Sequence, residues 1–413
     1  MNLCEYEDCT GCMSCLNACK KGAISVFSDE QGFLRPKIDE NICIECGLCR
    51  TVCPQLSYQC VSDFKKKIYA AWNYENKVRK NSSSGGIFSA LAEQIFLQGG
   101  VVFGAVFDEN LDVVHKAVDN CNDLEKIRGS KYVQSNINST FSEIKKFLKE
   151  GKTVLFSGTP CQVAGLYSFL RKRYKNLITV DLACHGVPSP LVYRDFLRYI
   201  GKKYNSEVTG VCFRDKSSSW KSYDVRITLK NGDIYRCGFI DDPFMLLFLK
   251  NFCLRPSCYK CRYSNLNRLG DLTLADFWGY KETYSEDIDD DMGISALIIN
   301  SQAGDKLFQS IKHKIKYFER EEKDISRENL NFLRPSPIPK NYEDFWSDYK
   351  IKSFDKIVKK YLHEKKHKSQ NLDLHTYFIN LSHNVSHIPN KFFIRVLGES
   401  KYNKLKENLK HKK

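Results

Sequence analysis

Cysteines carry the most legible chemistry in this chain. Residues 9 to 19 read Cys9-x2-Cys12-x2-Cys15-x3-Cys19, and residues 43 to 53 read Cys43-x2-Cys46-x2-Cys49-x3-Cys53, with Pro54 following. The second run repeats the first at a constant offset of 34 residues. Two-residue spacers let a tight loop present three thiolates to three corners of an iron-sulfur cubane, while the fourth cysteine of each run reaches across to the other cluster. That logic groups Cys9, Cys12, Cys15 and Cys53 around one 4Fe-4S cluster, and Cys43, Cys46, Cys49 and Cys19 around a second. Zinc also accepts four thiolates, but its sites usually come as separated Cys-x2-Cys pairs and not as a ladder. Cys4 and Cys60 fall outside the ladder and read as free thiols.

A second set of cysteines lies downstream. Cys258 and Cys261 are two residues apart, as iron-sulfur and zinc turns both require, and Cys253 stands five residues earlier. Cys161 in "SGTPCQ" and Cys184 in "DLACHGVPSP" each follow a short apolar run and precede a helical pattern. A thiol there has its thiolate favoured by unpaired backbone N–H groups, so both are candidates for metal ligation or redox chemistry. The bland alternative is a small buried residue at a strand end. His185 reads equally as a ligand or proton relay and as a hydrogen-bonded structural histidine. Cys121, Cys212 and Cys237 have no nearby partner and read as packed thiols.

The elements that must position these groups divide the chain. Short strands at Ala23 to Phe27 and Phe33 to Ile38 fit between the two halves of the ladder, giving a ferredoxin-type domain over residues 1–58. From Ile68 strand-like runs alternate with helical ones: "IYAAW", "IFSALAEQIFLQ", "VVFGAVF", "TFSEIKKFLKEG", "TVLFSG", "QVAGLYSFLRKR", "LITVDLA" and "PLVYRDFLRYIGKKY". Such alternation predicts a largely parallel sheet covered by helices, and Asn231-Gly232 between "YDVRITLK" and "DIYRCGF" predicts a hairpin in that sheet or a neighbouring one. A last strand and helix, "ISALIIN" and "QAGDKLFQSIK", close the region. The expected class is therefore α+β and α/β: a small two-cluster domain, a larger mixed α/β domain and a helical C-terminal tail.

In open parallel sheets ligands gather at the carboxyl ends of strands. The loop Ser82-Ser-Ser-Gly85-Gly86 before the helix at Ile87 can offer backbone N–H groups to phosphate, although Ser and Gly also serve simply as caps. Lys131 within Gly129 to Tyr132 adds a cation beside a turn. No G-x-G-x-x-G fingerprint follows a strand, so an ordinary Rossmann site is not supported.

Composition narrows the classes. Of 413 residues, 42% are hydrophobic and 27% charged, and no run has the roughly 18 apolar residues of a membrane span. The acidic start, without an apolar leader core, predicts a cytoplasmic protein, where clustered thiols hold metal more often than disulfides. Residues 341–413 carry 16 Lys and Arg against 8 Asp and Glu, about half of the net +15. This basic helical tail, 340–413, is expected to be a solvated or frayed end, with an acidic partner or an anionic membrane surface as possible docking targets. No interleaving of aromatic and basic residues points to nucleic acid.

Seven stretches occur in order: "SSSGGIFSAL", "RGSKYVQS", "FSGTPCQVAGL", "DLACHGVPSP", "CFRDK", "LRPSCYKC" and "GDLTLADFWG". Together they resemble the coenzyme F420 hydrogenase/dehydrogenase beta-subunit family over roughly residues 68–335, divisible at 68–165 (flavin-binding region) and 166–335 (third-cluster region). The resemblance implies an iron-sulfur flavoprotein oxidoreductase that binds FAD and a third 4Fe-4S cluster, and exchanges electrons with a redox partner and an unidentified substrate or deazaflavin. A non-catalytic subunit feeding a partner enzyme is the alternative. By motif, FAD would lie against Ser84, Gly85, Gly86, Ser130, Lys131, Tyr132, Thr159, Pro160, Cys161 and Gln162. The first choice of third-cluster ligands is Cys161, Cys184, Cys258 and Cys261, with Cys253 in reserve. Lys131 would stabilise a reduced flavin ring, and His185 or Tyr132 would relay protons. One departure from the family pattern is Ala275 before Asp276, where Gly is common.

Overall fold

A computed structural model describes residues 3–56, 64–280, 284 and 290–362. Cys60 and residues 363–413 of the basic tail lie outside the described residues. In the ladder segment, β1 (Ile24–Ser28) and β2 (Leu34–Ile38) pair antiparallel, Ile24 opposite Ile38. Asp29 closes their turn by accepting the N–H groups of Gln31 at 3.0 Å and Phe33 at 2.8 Å, and it pairs with the buried Arg35. Short helices Ser14–Ala18 and Leu48–Thr51 pack together, each entered through a positive-φ residue, Met13 and Gly47, that turns the chain out of a cysteine loop.

The larger region begins with β3 (Lys67–Asn73), β4 (Val101–Phe107), β5 (Val113–Val118), β6 (Val154–Gly158) and β7 (Leu177–Leu182). It then leaves the main sheet for a separate antiparallel one, β8 (Val208–Asp215), β9 (Asp224–Leu229) and β10 (Ile234–Gly238), with the Asn231-Gly232 hairpin joining the last two. Finally β11 (Leu272–Asp276), β12 (Ser295–Ile299) and β13 (Ile315–Arg320) return to complete an eight-stranded sheet of order β13-β3-β12-β11-β7-β6-β4-β5.

Only the four central strands, β11, β7, β6 and β4, run parallel. The outer pairings are antiparallel, so the sheet is mixed where the alternation of elements suggested a largely parallel one. The difference lies in β5, which folds straight back on β4 with no helix between, and in β12, which inserts antiparallel between β11 and β3. Ala275 lies inside β11, opposite Ala296, an extended position that asks nothing special of a glycine.

One face of the sheet is covered by helices Ile87–Leu97 and Gln302–Ile311. The other is covered by helices Thr140–Lys149 and Pro160–Leu170, and that core also contains Met13, Ala18 and Val52 of the ladder domain. The ladder domain thus shares a core with the larger region. A further core lies under β8–β10, and Phe345, Trp346, Phe354, Ile357 and Tyr361 are buried in it. The first part of the tail, helices Tyr342–Tyr349 and Phe354–Leu362, is therefore packed, correcting the expectation of a solvated end: its lysines face out and its aromatic stripe faces in. Among the described residues, no helix is long and apolar enough to cross a membrane.

Candidate functional site

Cys9, Cys12, Cys15 and Cys53 line one small cavity together with Met13, Pro54 and Cys4. Their loop is held by Gly11 (φ +67°), where a Cβ would collide with Gln134 Nε2 at 2.6 Å. Burial pushes the Cys12 thiol up to about 12 and Cys15 well above the usual thiol range. Hydrogen bonding from Cys4 draws Cys9 well down and Cys53 down to about 7, while Cys4 itself is raised by those bonds to Cys53 and Cys9. Cys4, read from sequence as a bystander, therefore faces the cradle.

In the other half of the ladder, Cys49 lies within electrostatic reach of Cys43 and Cys46, and partial burial raises it. Cys46 is exposed. Cys19 follows the helix Ser14–Ala18 as its C-terminal cap, at the start of the turn into β1. Among the described residues no three Cys, His, Asp or Glu side chains close on a single-ion site.

Cys161, Cys184, Cys258 and Cys261 come together from three segments. Thr159 and Gln162 form a capping box at the start of helix Pro160–Leu170, which fixes Cys161 at the carboxyl end of β6. Cys184 follows β7 in a loop zipped to the later segment: Ser189 N–H donates to Cys253 O at 2.8 Å and Val187 N–H to Cys258 Sγ at 3.3 Å. A short 3-10 turn, Pro256–Lys260, carries Cys258, and Cys261 caps it. The thiol of Cys184 senses Cys258, Cys161 and Cys261, and that of Cys258 senses Cys261 and Cys161. Burial raises Cys161 to about 11, Cys258 to about 12 and Cys184 well above its ordinary value. Arg255 is felt by Cys161 and Cys258, yet burial outweighs it: these desolvated, converging thiols are poor anions alone and good ligands for a cationic core that displaces their protons. Cys253 is fully buried elsewhere, among apolar neighbours under β8–β10, and its pKa is raised by burial.

The two sulfur groups adjoin. Cys12 senses the charge of Cys161, and a Cβ on Gly165, in the same helix as Cys161, would lie 2.9 Å from Cys12 Sγ. Sequence reasoning passed over Gly165, although a glycine inside an otherwise good helix is the usual sign of a close approach.

The loops expected to face a flavin also meet. Ser83 Oγ accepts from Ser130 N–H at 2.8 Å, joining the Ser82–Gly86 loop to the Gly129–Tyr132 turn. Ser84 Oγ donates to Ile294 O, and Gly85 N–H donates to Ser295 Oγ, where a Cβ would be 2.5 Å from Ala71 O. Gly86 (φ +81°) opens the following helix. Lys131 Nζ donates to Arg128 O and Lys126 O, and burial lowers it to about 7. Lys216 Nζ, which the sequence reading missed, donates to Arg79 O, Ser84 O and Met292 O, and burial brings it to about 7 as well. Tyr132 packs against Phe213 and Phe248. His185 bonds Asn251 Oδ1 through Nε2 at 2.7 Å, sits beside Ser336, and is lowered by burial, which keeps it neutral.

The fold and cysteine groups define an iron-sulfur protein of the oxidoreductase and electron-transfer class. Residues 8–56 match the 4Fe-4S dicluster domain, residues 68–142 the coenzyme F420 hydrogenase/dehydrogenase beta subunit N-terminal region, and residues 151–324 its C-terminal region. The chain belongs to that beta-subunit family, with a dicluster domain at its N-terminal side. A coenzyme F420-dependent sulfite reductase from Methanocaldococcus jannaschii is 31% identical over 196 residues, which is 46% of this chain and 29% of the relative. The chain thus spans less than a third of that relative's length. A chain of the F420-reducing [NiFe] hydrogenase complex from Methanosarcina barkeri superposes with a TM-score of 0.42 at 17% identity, covering 71% of this chain and 91% of that one.

Proposed function

We propose that this chain is an iron-sulfur flavoprotein oxidoreductase that moves electrons between the two ladder clusters, a third 4Fe-4S cluster held by Cys161, Cys184, Cys258 and Cys261, and FAD, for reduction or oxidation of an organic substrate or deazaflavin. The observation that carries this reading is the contact at Gly165, which sets Cys12 of the ladder beside Cys161 of the four-cysteine group. Cys9, Cys12, Cys15 and Cys53 would hold one cluster, and Cys43, Cys46, Cys49 and Cys19 the other.

The residues present fit an anionic cofactor at the serine-glycine loop. Lys216 and Lys131 are half-buried cations bonded to backbone carbonyls, and an anionic group would supply the charge those carbonyls lack. When bound, FAD would supply the step that gathers single electrons into a pair. Ser84, Gly85, Gly86, Ser130 and Tyr132 would position it, and the Thr159–Gln162 turn would face both it and the four-cysteine group. Lys131 would balance negative charge on the ring. His185, held by Asn251, would keep the Cys184 loop in place and offer a neutral imidazole to a proton path. A subunit that feeds a partner enzyme remains the second reading, favoured by the exposed Cys46.

Anaerobic purification should yield about twelve irons, from three four-iron clusters, and one FAD per chain. Eight irons together with failure to rebind added FAD would overturn the reading. Turnover in a screen of F420, quinones and unsaturated acids by the isolated chain would select the enzyme over the subunit. FAD affinity should weaken as pH rises through about 7: binding to a phosphate favours the protonated lysines, whose free pKa is depressed, so protons are taken up on binding. The fall should be at most about tenfold per pH unit per lysine, and Lys216→Gln should flatten the curve measured by flavin fluorescence.

A further inference from the structure

Arg255 lies inside Cys253-Leu-Arg-Pro-Ser-Cys258, with the extended backbone (ψ 137°) that the following Pro256 demands. Its N–H donates to Val187 O at 2.9 Å and its carbonyl accepts from Cys258 N–H at 2.8 Å, which pins it at the edge of the four-cysteine group. From there the side chain, 1% exposed, runs into the ladder domain. Nε donates to Cys9 O at 2.6 Å, Nη1 donates to Leu34 O at 3.1 Å, and Nη2 faces Cys9 Sγ at 3.6 Å. Gly11 leaves room for this approach, since a Cβ there would stand 2.9 Å from Nη1.

Among the described residues no carboxylate pairs with this guanidinium. The ionisable groups that feel its charge include the thiols of Cys9, Cys161 and Cys258, two in one sulfur group and one in the other. A buried cation without a counter-charge is costly, and an arginine cannot shed its proton to escape that cost. Clusters ligated by thiolates are the anions that would answer it. We propose that Arg255 is the shared counter-ion of the inner ladder cluster and the third cluster, holding up the reduction potential of both and clamping the Cys9 loop onto the third centre. Each cluster gains one negative charge on reduction, so a fixed cation beside it favours the reduced form. One electron leaving the inner cluster, which is oxidised, enters the third, which is reduced, and Arg255 keeps its proton throughout. The part concerning the third cluster rests on the four-cysteine reading above.

The test is a potentiometric titration of the anaerobic full-length protein followed by electron paramagnetic resonance, with waves assigned by those that Cys46→Ser and Cys261→Ser displace. Arg255→Gln should make reduction of the inner and third clusters at least about tenfold less favourable, about 59 mV lower for one electron, while the outer ladder wave stays in place. Arg255→Lys, which keeps the charge and loses the fork, should shift both by less. Equal shifts in all three waves, equal shifts in the Gln and Lys variants, or no shift at full iron content would overturn the proposal. If the Gln variant fails to load iron, the Lys variant decides: a shift of tenfold or more overturns the charge account. Eight irons in the wild-type protein would overturn the third cluster alone, because the inner ladder wave still reads the effect of Arg255.

Discussion

Cys12 is 8% exposed, pressed against helix Pro160–Leu170 and within reach of Cys161. Its repeat partner Cys46, in the same position of the same spacing, is exposed, with Ile42 at 46% and Ile44 at 61% exposure beside it. One local motif thus serves in two surroundings. Around the inner half, the sheet's covering helices, Arg255 and Gln134 take the place of solvent; around the outer half, Cys19, Cys43 and Cys49 are only partly covered and Cys46 is open. Iron-sulfur potentials depend on charge, hydrogen bonds to sulfur and exposure, so identical ligand spacing implies two different centres. On the reading proposed above, the outer half would exchange electrons with another molecule and the inner half would pass them within the chain.

The largest effect should come from separating these roles. Cys12→Ser should slow reduction of the third centre by an added donor by roughly a hundredfold, the scale of a small displacement at a reacting pair. Cys46→Ser should slow entry from a protein donor and leave internal transfer intact, as stopped-flow bleaching would show. Equal losses in both variants would erase the distinction.

A smaller contrast lies in two glycines. Gly165→Ala would drive a methyl into Cys12 Sγ and should destabilise the iron-loaded protein by about 1–3 kcal/mol in denaturant titrations. Gly47→Ala meets no neighbour and should cost only the strain of its positive φ, about 1 kcal/mol. The smallest contrast concerns docking. Asn17→Ala removes bonds from Nδ2 to Asn138 O at 2.7 Å and to Oδ1 from Ser142 N–H at 3.0 Å, and should cost about 1 kcal/mol. Asn41→Ala, on the exposed loop of the outer half, should stay within about 0.5 kcal/mol.

Much of the larger fold was legible because β3, β4, β6, β7 and β12 are mostly apolar and mostly buried along their length. The long helices announce themselves by period, and helix Pro190–Tyr204 also by Ser189, whose side chain caps it. Of the strands that escaped, β11 and β13 owe their places to β7 and β3, far back in the chain, which no local pattern encodes, whereas β5 folds back on its neighbour β4 and was hidden by His115 and Lys116. The packed aromatic stripe of Tyr342–Leu362 was hidden under its lysines, because a charge run looks alike whether its opposite face is buried or bare.

By itself the sequence determined the eight ladder cysteines as a set. Their spacing is short enough that covalent geometry limits what they can hold. It also determined the family, through motifs in fixed order. Tertiary structure alone decided that Cys253 is buried in the core under β8–β10, that Cys4 faces the inner cradle, and that Arg255 spans from one sulfur group to the other. Each depends on which segments pack side by side; Arg255 and Cys9, for example, meet across 246 residues of chain.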